Sequence, residues 1–341
     1  MMIQIGNIRR LSFALIIYSI LCTVFSVIVS CSDRENIMLT DDTGTPILFS
    51  VSQSKFSRAV SSNAVSNFKV YAYDSKGNYY INGAKFNGDG TSNSSETYYW
   101  PLSGSLSFYA ISPSDDNNNI YSISNGVLSY TVSTDNSKQI DLMVAKAANQ
   151  TKSTNKGVVN LQFQHVLSQV VFKGYVSVSG LSVEVQSITI HNVNSVMTLG
   201  LNGTATAPAA KYANYSIGMD GVKTVTSAIE DKADDLTASD GVLMLVPQTL
   251  TGWDGKTTIE DADKSNLSYI EVSYRSKMNG IYIVGSSSSF VTRYVPLSMQ
   301  LLDGKSYTFN IAFKGQANPT IKIGTGTTTP EESQAKPHIF Y

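Results

Sequence analysis

Apolar and polar residues alternate along most of this chain with a period of two, in short runs separated by turn residues, which is the pattern of strands with one buried face. The first run is Pro46–Ser52, with Ile47, Phe49 and Val51 on one side. Phe68–Tyr73 is the second, and Asp74-Ser75-Lys76-Gly77-Asn78 supplies the turn chemistry that leads back through Tyr79-Tyr80-Ile81. Leu106, Phe108 and Ala110 alternate with Ser105, Ser107 and Tyr109 just after Trp100-Pro101, where a residue without an N–H marks a strand end. Further strands are predicted at Val127–Val132, Ile140–Ala145, Leu161–His165 and Val170–Gly174. In the second half, Val183–His191 changes phase near Gln186, which predicts a bulge. Val242–Val246 is continuously apolar, as in a strand covered on both faces. Tyr269–Tyr274, Phe290–Val295 and Ser306–Phe313 complete a set of roughly fourteen strands with no amphipathic helix between them.

That spacing predicts an all-β fold. The 341 residues suffice for two tandem β-sandwich domains. We expect an N-terminal sandwich over 46–179, a boundary near Ser179-Gly180, a C-terminal sandwich over 180–315 and a tail over 316–341. Charged residues make up only 15% of the chain and the formal net charge is −1, so no basic face calls for nucleic acid. The abundance of Tyr and Gly with many Ser, Thr and Asn fits an extracellular β-protein.

The N-terminus departs from the strand pattern. Arg9 and Arg10 precede the largely apolar Leu11–Val29 and then Ser30-Cys31, the order of a secretory signal. A stretch of that length can also span a bilayer as an uncleaved anchor. Ile28-Val29-Ser30-Cys31 resembles a bacterial lipobox, in which the signal is cut before the cysteine and Cys31 carries the lipid. On that reading 1–30 is a lipoprotein signal peptide and 31–45 a tether. Cys22 leaves with the signal, so the mature chain can form no internal disulfide. Arg9 and Arg10 leave too, and 25 − 2 = 23 basic residues then face 26 acidic ones, a net charge of −3.

No catalytic constellation stands out. His165, His191 and His338 lack metal-ligand spacing and read as strand or tail residues, so no metal or cofactor is expected. There is no nucleophile elbow and no phosphate-cradling glycine loop. Asp261-Ala262-Asp263-Lys264-Ser265 opens like a calcium loop but has Asn266 at the glycine position and Val272 at the position of the bidentate glutamate, so it reads as a solvated loop. Asp115-Asp116 and Asp234-Asp235 read as loop carboxylates without partners. Trp100 and Trp253 read as core or corner residues, with sugar stacking as the alternative.

Five segments, in order, resemble motifs of the fimbrillin-like proteins of Bacteroidales. They are Tyr99-Trp100-Pro101 with Gly104 and the strand Leu106–Ala110; Asp141-Leu142-Met143-Val144-Ala145; Phe163-Gln164-His165-Val166-Leu167-Ser168-Gln169-Val170; Met244-Leu245-Val246-Pro247-Gln248; and Gly304-Lys305-Ser306-Tyr307-Thr308. Ser32-Asp33-Arg34-Glu35 is similar to the surface-export signal of Bacteroidetes lipoproteins. The resemblance implies transthyretin-like sandwiches, export as an outer-membrane lipoprotein and assembly into a fimbria (pilus) with other subunits. It also implies that a trypsin-like surface protease removes the first strand, and that a strand from the next subunit fills the vacated groove.

Ile47, Phe49 and Val51 would then leave on maturation, with Arg58, between the small residues Ser57 and Ala59, as the processing site. Ile321, Ile323, Ile339 and Tyr341 are the donor-strand candidates. The alternative is a stand-alone surface lipoprotein that binds glycan or a host protein.

Overall fold

The computed structural model describes residues 44–54, 64–114, 121–124, 126–201 and 208–325. Cys31, Arg58, His338, Ile339, Tyr341, the signal segment and most of the tether lie outside the described residues. The fold is all-β, of sandwich type. Twenty-two strands form five sheets among the described residues, against roughly fourteen expected, because several predicted loops contain strands of two to five residues.

In the first half, β1 (Leu48–Gln53), β2 (Asn67–Asp74), β3 (Tyr79–Asn87), β4 (Leu106–Ser112), β5 (Tyr121–Ser124), β6 (Val127–Thr131), β7 (Met143–Gln150) and β8 (Val158–His165) follow in chain order. Six of them make one sheet in the order β1-β8-β7-β4-β2-β3. The β2–β3 connection is the predicted turn: the Asp74 carboxylate accepts from the N–H groups of Lys76 and Asn78 at 2.8 and 2.9 Å, and Gly77 adopts φ +85°.

This sheet has a core on each face, because period-two strands with apolar residues on both sides must be covered twice. Phe68, Val70, Phe108, Ala110, Leu161 and Phe163 are buried on one face with Trp100. Tyr71, Tyr73, Tyr109 and Ile111 point the other way, into a larger core that continues through the second half of the chain. A three-stranded sheet, β5-β6-Val196–Gly200, stitches the halves together.

β9 (Ser168–Val176) follows β8 after only Val166 and Leu167, yet it belongs to a different sheet. It pairs in parallel with Ser306–Lys314 and antiparallel with Leu243–Leu245 and Asp234–Asp235. Sheet membership therefore changes between His165 and Ser168, upstream of the boundary expected near Ser179-Gly180. β9 is buried along nearly its whole length, and its long partner strand lies far along the chain.

Leu181–Asn194 and Tyr269–Met278 pair antiparallel at the centre of the remaining six-stranded sheet, with the expected bulge between Val185 and Ser187. Three expectations need correction. The stretch read as a solvated calcium-like loop is a short helix, Ile259–Lys264, whose N-cap Thr258 accepts from the Asp261 N–H and whose Ala262 is buried. Asp234 is not partnerless: one carboxylate oxygen accepts from Thr226 and Ser227 N–H at 2.8 and 2.9 Å, and Asp235 pairs with Lys173. The tail expected from residue 316 begins as the edge strand Ala317–Thr325, antiparallel to Ser306–Lys314.

Candidate functional site

The segment Thr45–Ser54 is gripped along its whole length. At its start, Trp100 N–H donates to the Thr45 carbonyl at 3.0 Å, Ile47 N–H donates to the Tyr98 carbonyl at 2.8 Å, and Pro46 bridges Tyr99. β1 then runs parallel to β8, from Leu48 opposite Val158 to Gln53 opposite Phe163. At its end, the Ser54 N–H donates to the Phe163 carbonyl at 2.8 Å, and the Ser54 carbonyl meets Nε2 of His165 at 3.0 Å. β1 sits at a sheet edge, so its removal would uncover the ladder groups of β8.

Its side chains sort as the alternation predicts. Ile47 and Phe49 are buried and Val51 is half-buried against the same core, while Leu48, Ser50 and Ser52 face outward. The Phe49 ring meets three others edge-on: Phe86 at 4.8 Å, Phe108 at 5.7 Å and Phe68 at 6.3 Å between centroids. Without β1 those rings would line an empty aromatic pocket. Over the strand, Gly90 at φ +89° lies so close to the Phe49 carbonyl that a Cβ there would stand 2.4 Å from the oxygen.

The Tyr98–Trp100 segment is itself fixed by the core beneath it. Trp100 is buried, meets Phe108 edge-on at 5.8 Å, and donates Nε1–H to the Gly157 carbonyl at 3.0 Å. Tyr80 donates its hydroxyl to the Tyr99 carbonyl, and Tyr98 donates its own to Glu96 at 2.7 Å. Burial first, and the Glu96 carboxylate second, push the Tyr98 phenol up to about 12.

His165 ends β8 with its side chain fully enclosed. Nδ1 lies 2.7 Å from Oδ1 of Asp141, itself almost fully enclosed. His165 is a strand residue, as expected, and its partner Asp141 is not visible from the spacing of the sequence. His191 does lie in a strand, stacked on Tyr269 at 4.5 Å, and burial lowers its pKa. Among the described residues no group of three or more His, Cys, Asp or Glu could hold a metal ion. Trp253 is half-buried, edge-on to Tyr269 at 6.2 Å, with Nε1–H bonded within its own loop.

The profile of the fimbrillin-like family matches residues 57–330. The chain belongs to the fimbrillin-like family. Among solved structures, a fimbrial protein from Bacteroides vulgatus superposes with a TM-score of 0.57 at 15% identity, covering 82% of this chain and 98% of the other. A candidate cell adhesion protein from Bacteroides uniformis superposes with a TM-score of 0.51 at 15% identity, covering 84% and 100%. At these identities the likeness is one of fold. No curated protein sequence matches the chain.

In this fimbrillin-like chain the five motifs fall at junctions. Tyr98–Trp100 carries the start of Thr45–Ser54. Asp141 and His165 meet at its end. The Leu167 carbonyl accepts from Gly304 N–H at 3.0 Å, and the Ser306 hydroxyl donates to the Gln169 side chain at 2.9 Å, which locks the β8–β9 crossing to the last motif. Gln248 bonds both the N–H and the carbonyl of Asn194 at 2.9 Å. Of the donor-strand candidates, Ile321 and Ile323 lie in the edge strand Ala317–Thr325, half-buried against their own core. That edge is also tied by Lys322 to Glu230 at 2.6 Å.

Proposed function

We propose that this chain is a structural subunit of a surface fimbria, exported as a lipoprotein and assembled when its first strand is cut away and replaced by a strand from another subunit. Membership of the fimbrillin-like family and the likeness to a fimbrial protein support a fimbrial or adhesive role at the cell surface. The observation that carries the exchange reading is the placement of β1. It is an edge strand, its apolar face fills a pocket of three aromatic rings, and Lys55 and Arg58 follow it in sequence. Its partners would be other fimbrial subunits, a trypsin-like surface protease, the outer membrane through lipid on Cys31, and surface ligands of the host or of other bacteria. An extended strand entering such an edge binds through main-chain bonds, and its alternate side chains fill pockets.

The test is N-terminal sequencing of surface-sheared protein, run on a denaturing gel without boiling. A start at Ala59 and a ladder of multimers are expected, and Arg58→Ala should abolish both. Polymer formed normally by that variant, with residues 46–54 retained, would end the processing reading. A single lipidated band starting at Cys31 would favour an anchor or stand-alone lipoprotein. Cys31→Ala should lose metabolic palmitate label entirely, and label that persists would place the lipid elsewhere.

A further inference from the structure

The groove holds one polar fixture that the strand-exchange reading does not use. A strand in the place of β1 could slide by two residues along β8 and keep every side chain on its correct face, because the alternation has a period of two. Main-chain ladder bonds are the same at each step and do not stop such a slide. Two fixed points do: the aromatic pocket at Phe49 and the His165 ring at Ser54.

The His165 ring is built to read a carbonyl. Its Nε2 lies 3.0 Å from the Ser54 carbonyl oxygen, which only accepts, so a hydrogen bond there uses the tautomer with the proton on Nε2. Its Nδ1 is held by Asp141, which fixes the ring plane much as a carboxylate orients a metal-binding histidine. Both side chains are enclosed, and the second oxygen of Asp141 is buried with no partner, so the pair has little freedom to turn elsewhere. If the strand leaves, Nε2 loses this acceptor at the mouth of the groove.

We propose that Asp141 and His165 form a carbonyl-binding site that sets the register of any strand occupying this groove. The site takes the main-chain carbonyl five positions after the residue in the aromatic pocket, as Ser54 follows Phe49. The fitting partner is an extended segment parallel to β8, with an apolar residue for the pocket and at least five further residues beyond it. This rests on the strand-exchange reading and adds a length and register requirement to it.

The experiment uses the full chain nicked by limited trypsin after Lys55 or Arg58 and freed of its cut first strand in mild denaturant, then returned to buffer with fluorescent synthetic peptides. One is the amide of residues 45–54 and the other the amide of residues 45–53, which lacks the Ser54 carbonyl. The wild type is expected to hold the longer peptide more than tenfold tighter. Some of that gain comes from the bond that the Ser54 hydroxyl gives to the Phe163 carbonyl, whereas the terminal amide of the shorter peptide keeps a donor in the place of the Ser54 N–H. His165→Leu is expected to cut the ratio about tenfold, and His165→Gln, which keeps a donor, to restore part of it.

A second readout needs no variant: the ring Nε2–H proton of His165 should be protected from solvent exchange with the longer peptide and lost with the shorter. Equal peptide ratios in wild type and His165→Leu, or equal protection with both peptides, overturn the register site alone. A nicked wild type that takes up neither peptide overturns the strand-exchange reading on which the site rests.

Discussion

Phe49→Ala is expected to lower the unfolding free energy of the uncut protein by about 3–5 kcal/mol, the usual cost of emptying a buried phenylalanine site. The structure places it at the severe end. The ring is buried and meets Phe68, Phe86 and Phe108 edge-on, and those rings are anchored in β2, β3 and β4, so they cannot close over the hole. If the first strand is exchanged as proposed, the same substitution should have no effect on the processed subunit, because Phe49 is then gone. Urea denaturation of uncut and processed protein checks both halves. A cost below about 1 kcal/mol in the uncut protein would mean the pocket is not a tight receptor, and β1 would be held by its ladder alone.

Trp100→Ala is expected to cost a similar amount, about 3–5 kcal/mol, but with the opposite dependence on processing. Trp100 packs on Phe108 and bonds Gly157, neither of which belongs to the first strand. Its loss should therefore destabilise the cut and the uncut protein alike. In the uncut protein it should also loosen Thr45–Ile47, which bond to the backbone beside it. Trp100→Phe keeps an aromatic ring but strands the buried Gly157 carbonyl, and should cost about 1–3 kcal/mol. Near-neutral stability for Trp100→Ala, together with lost sugar binding, would reassign the residue to ligand contact.

The strands were readable because period-two alternation survives wherever one face is buried, and β1, β2 and β4 lie close to their expected places. The first strand as a candidate site was readable for the same reason: Ile47, Phe49 and Val51 face inward as the pattern requires. What the pattern could not give was pairing. β8 and β9 are adjacent in sequence and lie in different sheets, and nothing local distinguishes a strand that turns back from one that crosses over. The helix at Ile259–Lys264 was missed because six residues are too few to show a helical period, although Thr258 before an acidic first turn was a usable start signal. Nothing local in the sequence shows that Asp141 and His165 meet, since the contact joins the lead-in to β7 with the end of β8.

The parallel pairing of β9 with Ser306–Lys314 has a consequence for biogenesis. A chain leaving a ribosome or crossing a membrane from its N-terminus presents residue 169 long before residue 306, which bonds to it. Until then β9, with Val170, Phe172 and Val176 turned to the core, has no partner along that edge. The sheet that holds β9 is therefore completed only by nearly the last described strands. Such non-local closure makes folding slow and leaves sticky intermediates exposed. A subunit with this topology gains from remaining unfolded through transit and closing once, on arrival, as a complete chain.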